Sequence, residues 1–516
     1  MFTLLLVGML TLTFNIQPVK SAWTGTVYIR ADGSIDPPSA PIITYDNITY
    51  TLTDNITSSA DGIIIKRGNI IINGNDYTLQ GTGSSKGILL SERSNVTIKN
   101  VKIIGFSYGI LLSRVQSNNI IGNEVAQNDL GIIVYVSDGN TITNNTVANN
   151  NHGIRLEYSC NNTLAYNNMT NNLFNFGIHG EQQSHFVNNI DASNTVNNKL
   201  LYYLTQQRHI TINSSTLVDI GYLALINSTN VQVEGLMFKN NYQGLLLAYT
   251  TDSVIKNLDI VDNYYGISLV YSHSNIIVAN TITNSLYSGI FVGWNSTNNS
   301  IFHNIFENNT NQVYGTYKTN VWDNGYPSGG NYWSDYPSVD LYSGPYQNET
   351  GSDGIGDTAK IIDANNIDRY PLIAPFNTFK AGVWNGTAYN VDVIGNSTVS
   401  RFHFNPSEGA LLRFNVTGED GTTGFCRVTI PKPLLWVQDG QWSVLVDGEP
   451  VTYTIILDEN CTYLYFTYSH TTKMVTIQGT DVIPEFPSNI SLLTLLMLAT
   501  VPLILTKKIR YRKAKT

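Results

Sequence analysis

GIIVYVSDGNTITNNTVANNNH, residues 131–152, runs directly into GIRLEYSCNNTLAYNNMTNNLF, residues 153–174. In the first block the apolar set is Ile132, Val134, Ile142 and Val147, and the asparagine set is Asn140, Asn145 and Asn150. The second block repeats both sets 22 residues on, as Ile154, Leu156, Leu164 and Met169, with Asn162, Asn167 and Asn172. One block upstream, Gly109 opens the same series with Ile110, Leu112, Ile120 and Val125, then Asn118, Asn123 and Asn128. Apolar residues two apart are strand periodicity. The Asn or Gly between them turns the chain. Three short strands per block predict one coil of a parallel β-helix, each coil stacked on the last at the ~4.8 Å interstrand spacing. Apolar side chains then fill the interior in columns, and asparagines at equivalent corners stack in hydrogen-bonded ladders.

The same glycine-led pattern begins at Gly87 and returns at Gly221, Gly244, Gly266 and Gly289. The L-x-x-L-x-L-x-x-N signature of leucine-rich repeats is missing, and the interval is too short for propeller blades. From Gly177 to Val218 the pattern is irregular, with Lys199 where a block glycine is due, and two distorted coils are expected there. The repeat explains the composition. Of 516 residues only 13% are charged, against about 25% in ordinary domains, and about sixty are asparagine. The chain is too apolar for disorder and too long for one core. A net charge of −9 excludes the basic face of a nucleic-acid binder.

The ends predict an address. Residues 3–14, TLLLVGMLTLTF, have signal-peptide length, and Val19 and Ser21 fit cleavage before Ala22. No Lys or Arg precedes that run, so the amino terminus alone supplies positive charge there. Ile490–Leu505 is apolar and is followed by Lys507, Lys508, Arg510, Arg512, Lys513 and Lys515, a stop-transfer pattern. Both ends place the body outside the cell, anchored in the cytoplasmic membrane with its tail inside. Without those six cations the remainder stands near −15. N-x-[ST] sequons from Asn47 to Asn489 would then be glycan acceptors on exposed turns.

The G-I-x-L…N-N-T-I…N blocks, with YTLTDNITSSADGIII…GNDYTLQGTG (50–83) and GGNYWSDYPSVD…GSDGIGDT…IDRYPLIAPF (329–376), resemble the NosD-like family. The resemblance covers roughly residues 40–375. It implies a right-handed parallel β-helix of the pectate-lyase-like superfamily, grouped with carbohydrate-binding and sugar-hydrolase domains. Founding members assist copper loading of a nitrous oxide reductase. This chain has six Met and no His/Met/Cys cluster in sequence. Pro484-Glu485-Phe486, the apolar run and the basic tail resemble the PEF-type sorting signal of archaeal surface proteins. That resemblance implies a sortase-like processing enzyme as partner; a plain transmembrane anchor is the alternative.

The expected architecture is all-β, with one C-terminal membrane helix. Its segments are a signal peptide (1–21), an N-terminal cap region (22–60), β-helix repeats (61–325), an Asp/Gly-rich closing segment (326–376), a β-sandwich (377–480), a linker with the PEF motif (481–489), a transmembrane helix (490–506) and a basic tail (507–516). The sandwich is read from alternating stretches such as YTIILDE and YLYFTYS.

Four groups are candidate sites. Residues two and four after a block glycine point outward. With Gly177 taken as a block glycine, Glu157 stacks on Glu181 and Arg155 on His179, with Tyr135 and Ser113 in line. Two carboxylates about 5 Å apart would split their pKa values into an acid and a nucleophile, the retaining-glycosidase spacing. Arg155 or His179 would instead serve a lyase, neutralising a uronate or taking its proton. Five residues after the block glycines come Tyr158, Tyr249, Tyr271 and Trp294, a column of rings for sugar faces or for one another. Asp335, Asp340, Asp353, Asp357, Asp363 and Asp368 gather carboxylates in a Gly-rich stretch and predict structural calcium, with solvated turns as the alternative. Cys426 and Cys461 lie in the sandwich and are paired as a disulfide or buried as thiols.

The function expected is structural or carbohydrate-binding, without catalysis. The alternatives are a lyase, hydrolase or epimerase acting on acidic glycans, and an accessory role in a metal-processing or transport complex.

Overall fold

A computed structural model describes residues 23–483 except 316, 317, 338 and 439. The chain divides into two compact units, one of residues up to 299 with 306–320, the other of residues 300–305 with 321 onward. Among the described residues no helix is long and apolar enough to cross a membrane. The expected signal peptide, PEF motif, membrane helix and basic tail lie outside the described residues.

The first unit is a parallel β-helix. Its coils begin at Trp23, inside the segment expected to be a cap: Val27–Ile29 pairs in parallel with Ile63–Ile65, and Thr49–Leu52 with Ile70–Asn73. Strands Tyr108–Ser113, Leu130–Tyr135, His152–Glu157 and Phe174–His179 stack in register. That register places Ile110, Ile132, Ile154 and Phe176 in one column and Leu112, Val134, Leu156 and Ile178 in the next. Ile120, Ile142 and Leu164 form a third column, and Val125, Val147 and Met169 a fourth. Nearly all are fully buried.

The asparagines satisfy the corners. Asn145 accepts from the backbone N and the Nδ2 of Asn123, both at 3.0 Å. Its own Nδ2 donates to the carbonyls of Ile120 and Thr143 and to Asn167 Oδ1, at 2.8, 3.1 and 2.9 Å. Asn118, Asn140, Asn162 and Asn188 form a parallel ladder, as do Asn128, Asn150, Asn172 and Asn175. Every rung is a neutral pair that would be costly to bury unpaired.

Between Gly177 and Val218 the chain does something that two distorted coils do not describe. Thr195–Val196 turns through Asn197 and Asn198, both with positive φ, into Lys199–Thr205, and this pair is antiparallel. Lys199–Thr205 then pairs in parallel with Ile220–Ile226, and Gln243–Ala248, Tyr265–Val270 and Ser288–Gly293 follow in the same sheet. Strand direction has reversed within one continuous sheet. Leu201, Tyr203, Tyr222, Ala224, Ile226 and Leu246 pack into the core of the first coils. Leu223, Leu225, Leu245 and Leu247 on the opposite face are also buried. The coil interior has therefore moved to the other face of the sheet, and strands such as Ile220–Ile226 are buried on both sides. Their unbroken apolar sequence is the mark of such strands.

In the second unit Asn304 Nδ2 donates to Asn331 Oδ1 at 3.0 Å, one rung of the same kind of ladder. Residues 376–483 form two five-stranded antiparallel sheets around Val391, Phe414, Val428, Leu464, Phe466 and Ile477.

Candidate functional site

Strand His152–Glu157 alternates apolar inward and polar outward, so Arg155 and Glu157 face away from the coil interior as expected. They form an ion pair, Arg155 Nη2 to Glu157 Oε1 at 2.5 Å, with the side chains 16% and 20% exposed. The stacking partners differ from expectation. Arg155 lies opposite Gly177 and Glu157 opposite His179. Tyr135 lies opposite Glu157, and Ser113 opposite Tyr135. Glu181 falls beyond the strand end, exposed, so the Glu157–Glu181 rung does not form. The reason is that Asn175, not Gly177, fills the slot of Gly153. Asn175 is buried and accepts from Asn172 Nδ2 at 2.9 Å, which ends its ladder.

Around this ion pair the second run of coils supplies aromatic rings. The Arg155 guanidinium carbon sits 4.1 Å from the centre of the Tyr242 ring, a cation–π contact. His152 packs on Phe174 and Tyr242 at 5.2 and 5.9 Å. The Tyr158 hydroxyl and His179 Nε2 are 3.1 Å apart, and the His179 ring lies 5.4 Å from Trp294. Burial, then Arg155, pushes His152 and His179 down to about 4. Burial, then the Glu181 and Glu157 carboxylates, raises Tyr158. At neutral pH His179 is therefore a neutral imidazole hydrogen-bonded to a protonated phenol, beside a guanidinium already engaged by Glu157.

The expected ring column divides. Tyr249 and Tyr271 stack on each other at 4.9 Å and 10°, which occupies a face of each. Tyr158 meets His179 edge-on, and Trp294 meets Phe291 and His179. Tyr158, Tyr249, Tyr271 and Trp294 all sit at corners with positive φ.

The carboxylates considered for calcium have other partners in the structure. Among the described residues no three His, Cys, Asp or Glu side chains are grouped to hold a metal ion. The carboxylates close their own loops instead. Asp335 pairs with Lys360 at 2.9 Å. Asp340 accepts from the backbone N of Asp353 and Gly354 at 3.0 and 2.8 Å. Asp357 accepts from Leu341 N and Tyr342 N, each at 3.1 Å. Asp353 accepts from Ile355 N at 3.0 Å and lies 4.0 Å from the fully buried Arg427. Asp363 accepts from Asn365 N at 2.7 Å. Asp368 accepts from Trp333 Nε1 at 2.8 Å. Of the two readings of the sandwich cysteines the structure has free thiols, Cys426 buried and Cys461 half-buried, and Cys160 is free as well. Cys426 lies opposite Phe466, and Cys461 opposite Pro431. Five residues of strand, ~16 Å, separate the two positions, whose Cα atoms a bridge would need within ~6 Å.

Sequence reasoning missed the feature that the strand reversal creates. Where the two runs of coils meet, an open groove of about 1160 Å³ is lined by Asn149, Asn151, Asn171, Asn197, Lys199 and Lys239, among others. Of these, Asn149, Asn151, Asn171, Lys199 and Lys239 are exposed. No periodicity signals it, because each asparagine looks like an ordinary coil corner.

The fold and its ladders define a polar-cornered parallel β-helix joined to a β-sandwich. The chain belongs to the NosD family: the model described as periplasmic copper-binding protein (NosD) matches residues 25–201 and 188–338. The family description names copper; among the described residues no three His, Cys, Asp or Glu side chains are grouped to hold a metal ion. No curated protein matches the chain. Solved structures to which it is similar include the following three. The Dettilon tailspike protein is 11% identical, with 89% of this chain and 85% of that one covered, at a TM-score of 0.26. The A-module of the Azotobacter vinelandii mannuronan C-5 epimerase AlgE6 is 16% identical over 58% and 90%, at 0.22. The alginate lyase of Paenibacillus sp. str. FPU-7 is 15% identical over 54% and 87%, at 0.20.

Proposed function

We propose that this chain is a carbohydrate-binding surface protein that takes an extended acidic polysaccharide into the asparagine-lined groove, without catalysis. The observation that carries the reading is the lining: exposed amides, which both donate and accept, beside Lys199 and Lys239. Amides match sugar hydroxyls, and two cations in a chain of net charge −9 attract a carboxylate- or sulfate-bearing chain. The apolar run at 3–14 and the run at 490–505 with its basic tail support export and membrane anchoring, the address a glycan binder needs. Affinity electrophoresis of the full chain through gels containing alginate, pectate or neutral dextran tests this. Retardation is expected in an acidic gel and not in dextran, and the Lys199→Glu, Lys239→Glu double variant should lose at least tenfold in affinity. No retardation by any acidic glycan, or equal retardation of the double variant, overturns the proposal.

One observation favours a second reading. The Tyr158–His179 hydrogen bond beside Arg155 is a phenol–imidazole pair next to a carboxylate-binding group. That set suits proton removal from a uronate whose carboxylate has displaced Glu157 from Arg155. Release of unsaturated uronate by the wild type, abolished in His179→Ala, would favour it over simple binding.

A further inference from the structure

The sandwich carries an apolar face that its own core leaves open. Strand Tyr453–Leu457 is an edge of its five-stranded sheet. Ile455 and Leu457, two residues apart on one side of it, are 42% and 61% exposed. With Pro433, Trp436, Val437 and Trp442 they line a cleft of about 690 Å³. Lys432 is the only ionisable residue among the described residues that line it, and its Nζ donates to the carbonyl of Asp458. A bare edge strand bearing large exposed aliphatic side chains beside the half-buried Trp436 invites association and needs a cover.

The chain's exit identifies the cover. Asp481–Val482 pairs with Leu435–Trp436, and Ile483 N donates to the Leu434 carbonyl at 2.9 Å. The last described residue therefore lies alongside the segment that supplies Pro433 and Trp436 to the cleft. The apolar run Ile490–Leu505 begins seven residues later. Seven residues reach about 25 Å at most when fully extended. Any bilayer that holds that run is within the same short distance of the cleft.

We infer that the Trp436–Ile455–Leu457 face rests in the interfacial layer of the membrane that anchors the chain. Tryptophan is at home at that depth, and aliphatic side chains bury against the acyl boundary. The contact is apolar, because the sandwich offers the lipid no basic cluster among the residues lining this face. It is therefore expected in zwitterionic vesicles and at high salt. The inference rests on the anchoring part of the proposed function.

The test uses the full chain in phosphatidylcholine vesicles, with Cys160→Ser and Cys461→Ser to remove the two partly exposed thiols. A spin label is placed at Leu457→Cys and, as a reference, at Ile361→Cys, a site 70% exposed elsewhere in the same unit. Oxygen, which concentrates in lipid, is expected to relax the label at 457 at least threefold more than a water-soluble nickel chelate does. The label at 361 should show the reverse. A label at 457 that behaves like the one at 361 overturns the inference. So does one shielded from both reagents, which would mean that protein, a second copy included, covers the face. Carbonate extraction separates the premise. Retention in the vesicles supports anchoring whatever the label reports, whereas extraction overturns anchoring and this inference together.

Discussion

Glu157 lies opposite His179, and the two are 22 residues apart, the same offset that places Tyr135 opposite Glu157. The 22-residue offset therefore persists into the first strand of the last coil before the chain reverses, and widens to 26 and 27 in that coil's other two strands. The consequence is energetic as well as geometric. Glu157 is tied to Arg155, whose Nε is buried without a partner and whose guanidinium rests on Tyr242.

Removing that carboxylate leaves a half-buried cation uncompensated. Glu157→Gln is expected to destabilise the first unit by roughly 1–2 kcal/mol. Glu181→Gln, at an exposed position, should stay within about 0.5 kcal/mol of wild type. Urea midpoints of the two variants check this, and equal losses would return Glu181 to the same rung.

The asparagine ladders predict a larger effect. The Asn145 side chain makes five hydrogen bonds of 2.8–3.1 Å, four to groups of the two neighbouring coils and one to Thr143 of its own. Asn145→Ala strands those partners in the interior and is expected to cost roughly 3–5 kcal/mol. Asn119→Ala, where the amide reaches only Thr97 at 3.4 Å, should cost less than about 1 kcal/mol. The same denaturation series measures both.

One corner carries strain that a substitution can relieve. Val136 has φ 49° and is 41% exposed. A β-branched residue in the left-handed region costs roughly 1–2 kcal/mol. Val136→Asn is expected to raise stability by about 1 kcal/mol, read as a higher melting temperature. A lower one would mean that the valine packs usefully at this corner.

His152 predicts a pH dependence. Its folded pKa is pushed down to about 4 from an ordinary 6.5, first by burial and then by Arg155. Above 6.5 both folded and unfolded chains hold it neutral, and its contribution to stability is complete. As pH falls below 6.5 the unfolded chain takes the proton first, so that contribution shrinks down through pH 4. His152→Phe, which keeps the ring against Phe174, should show a smaller loss of melting temperature than wild type between pH 6.5 and 4. Identical losses would place the acid sensitivity elsewhere.

The coil offset, the interior columns and the corner ladders were legible because each is a local pattern repeated at a fixed interval. The block glycine was a poorer landmark than the offset. Gly177 looks like Gly153, but the ladder-ending Asn175 holds its slot. The reversal at Asn197–Asn198 was hidden for the same reason, since an Asn-Asn hairpin turn reads like any other corner. The unbroken apolar stretch of Ile220–Ile226 was the available signal that both faces of a strand are covered. The partners of the aspartates and cysteines were not legible, because backbone donors and strand register decide them and neither is written in residue type.

The proposed glycan occupies the groove between Asn149 and Lys239. Hydrogen–deuterium exchange of the full chain with and without an alginate or pectate oligosaccharide tests it most directly. The account predicts slowed exchange in the exposed corners at 149–151, 171–173 and 197–199 and around 239–240, with the corners at Tyr249 and Tyr271 unchanged. Protection confined to 155–181, or none anywhere at saturating oligosaccharide, would contradict it.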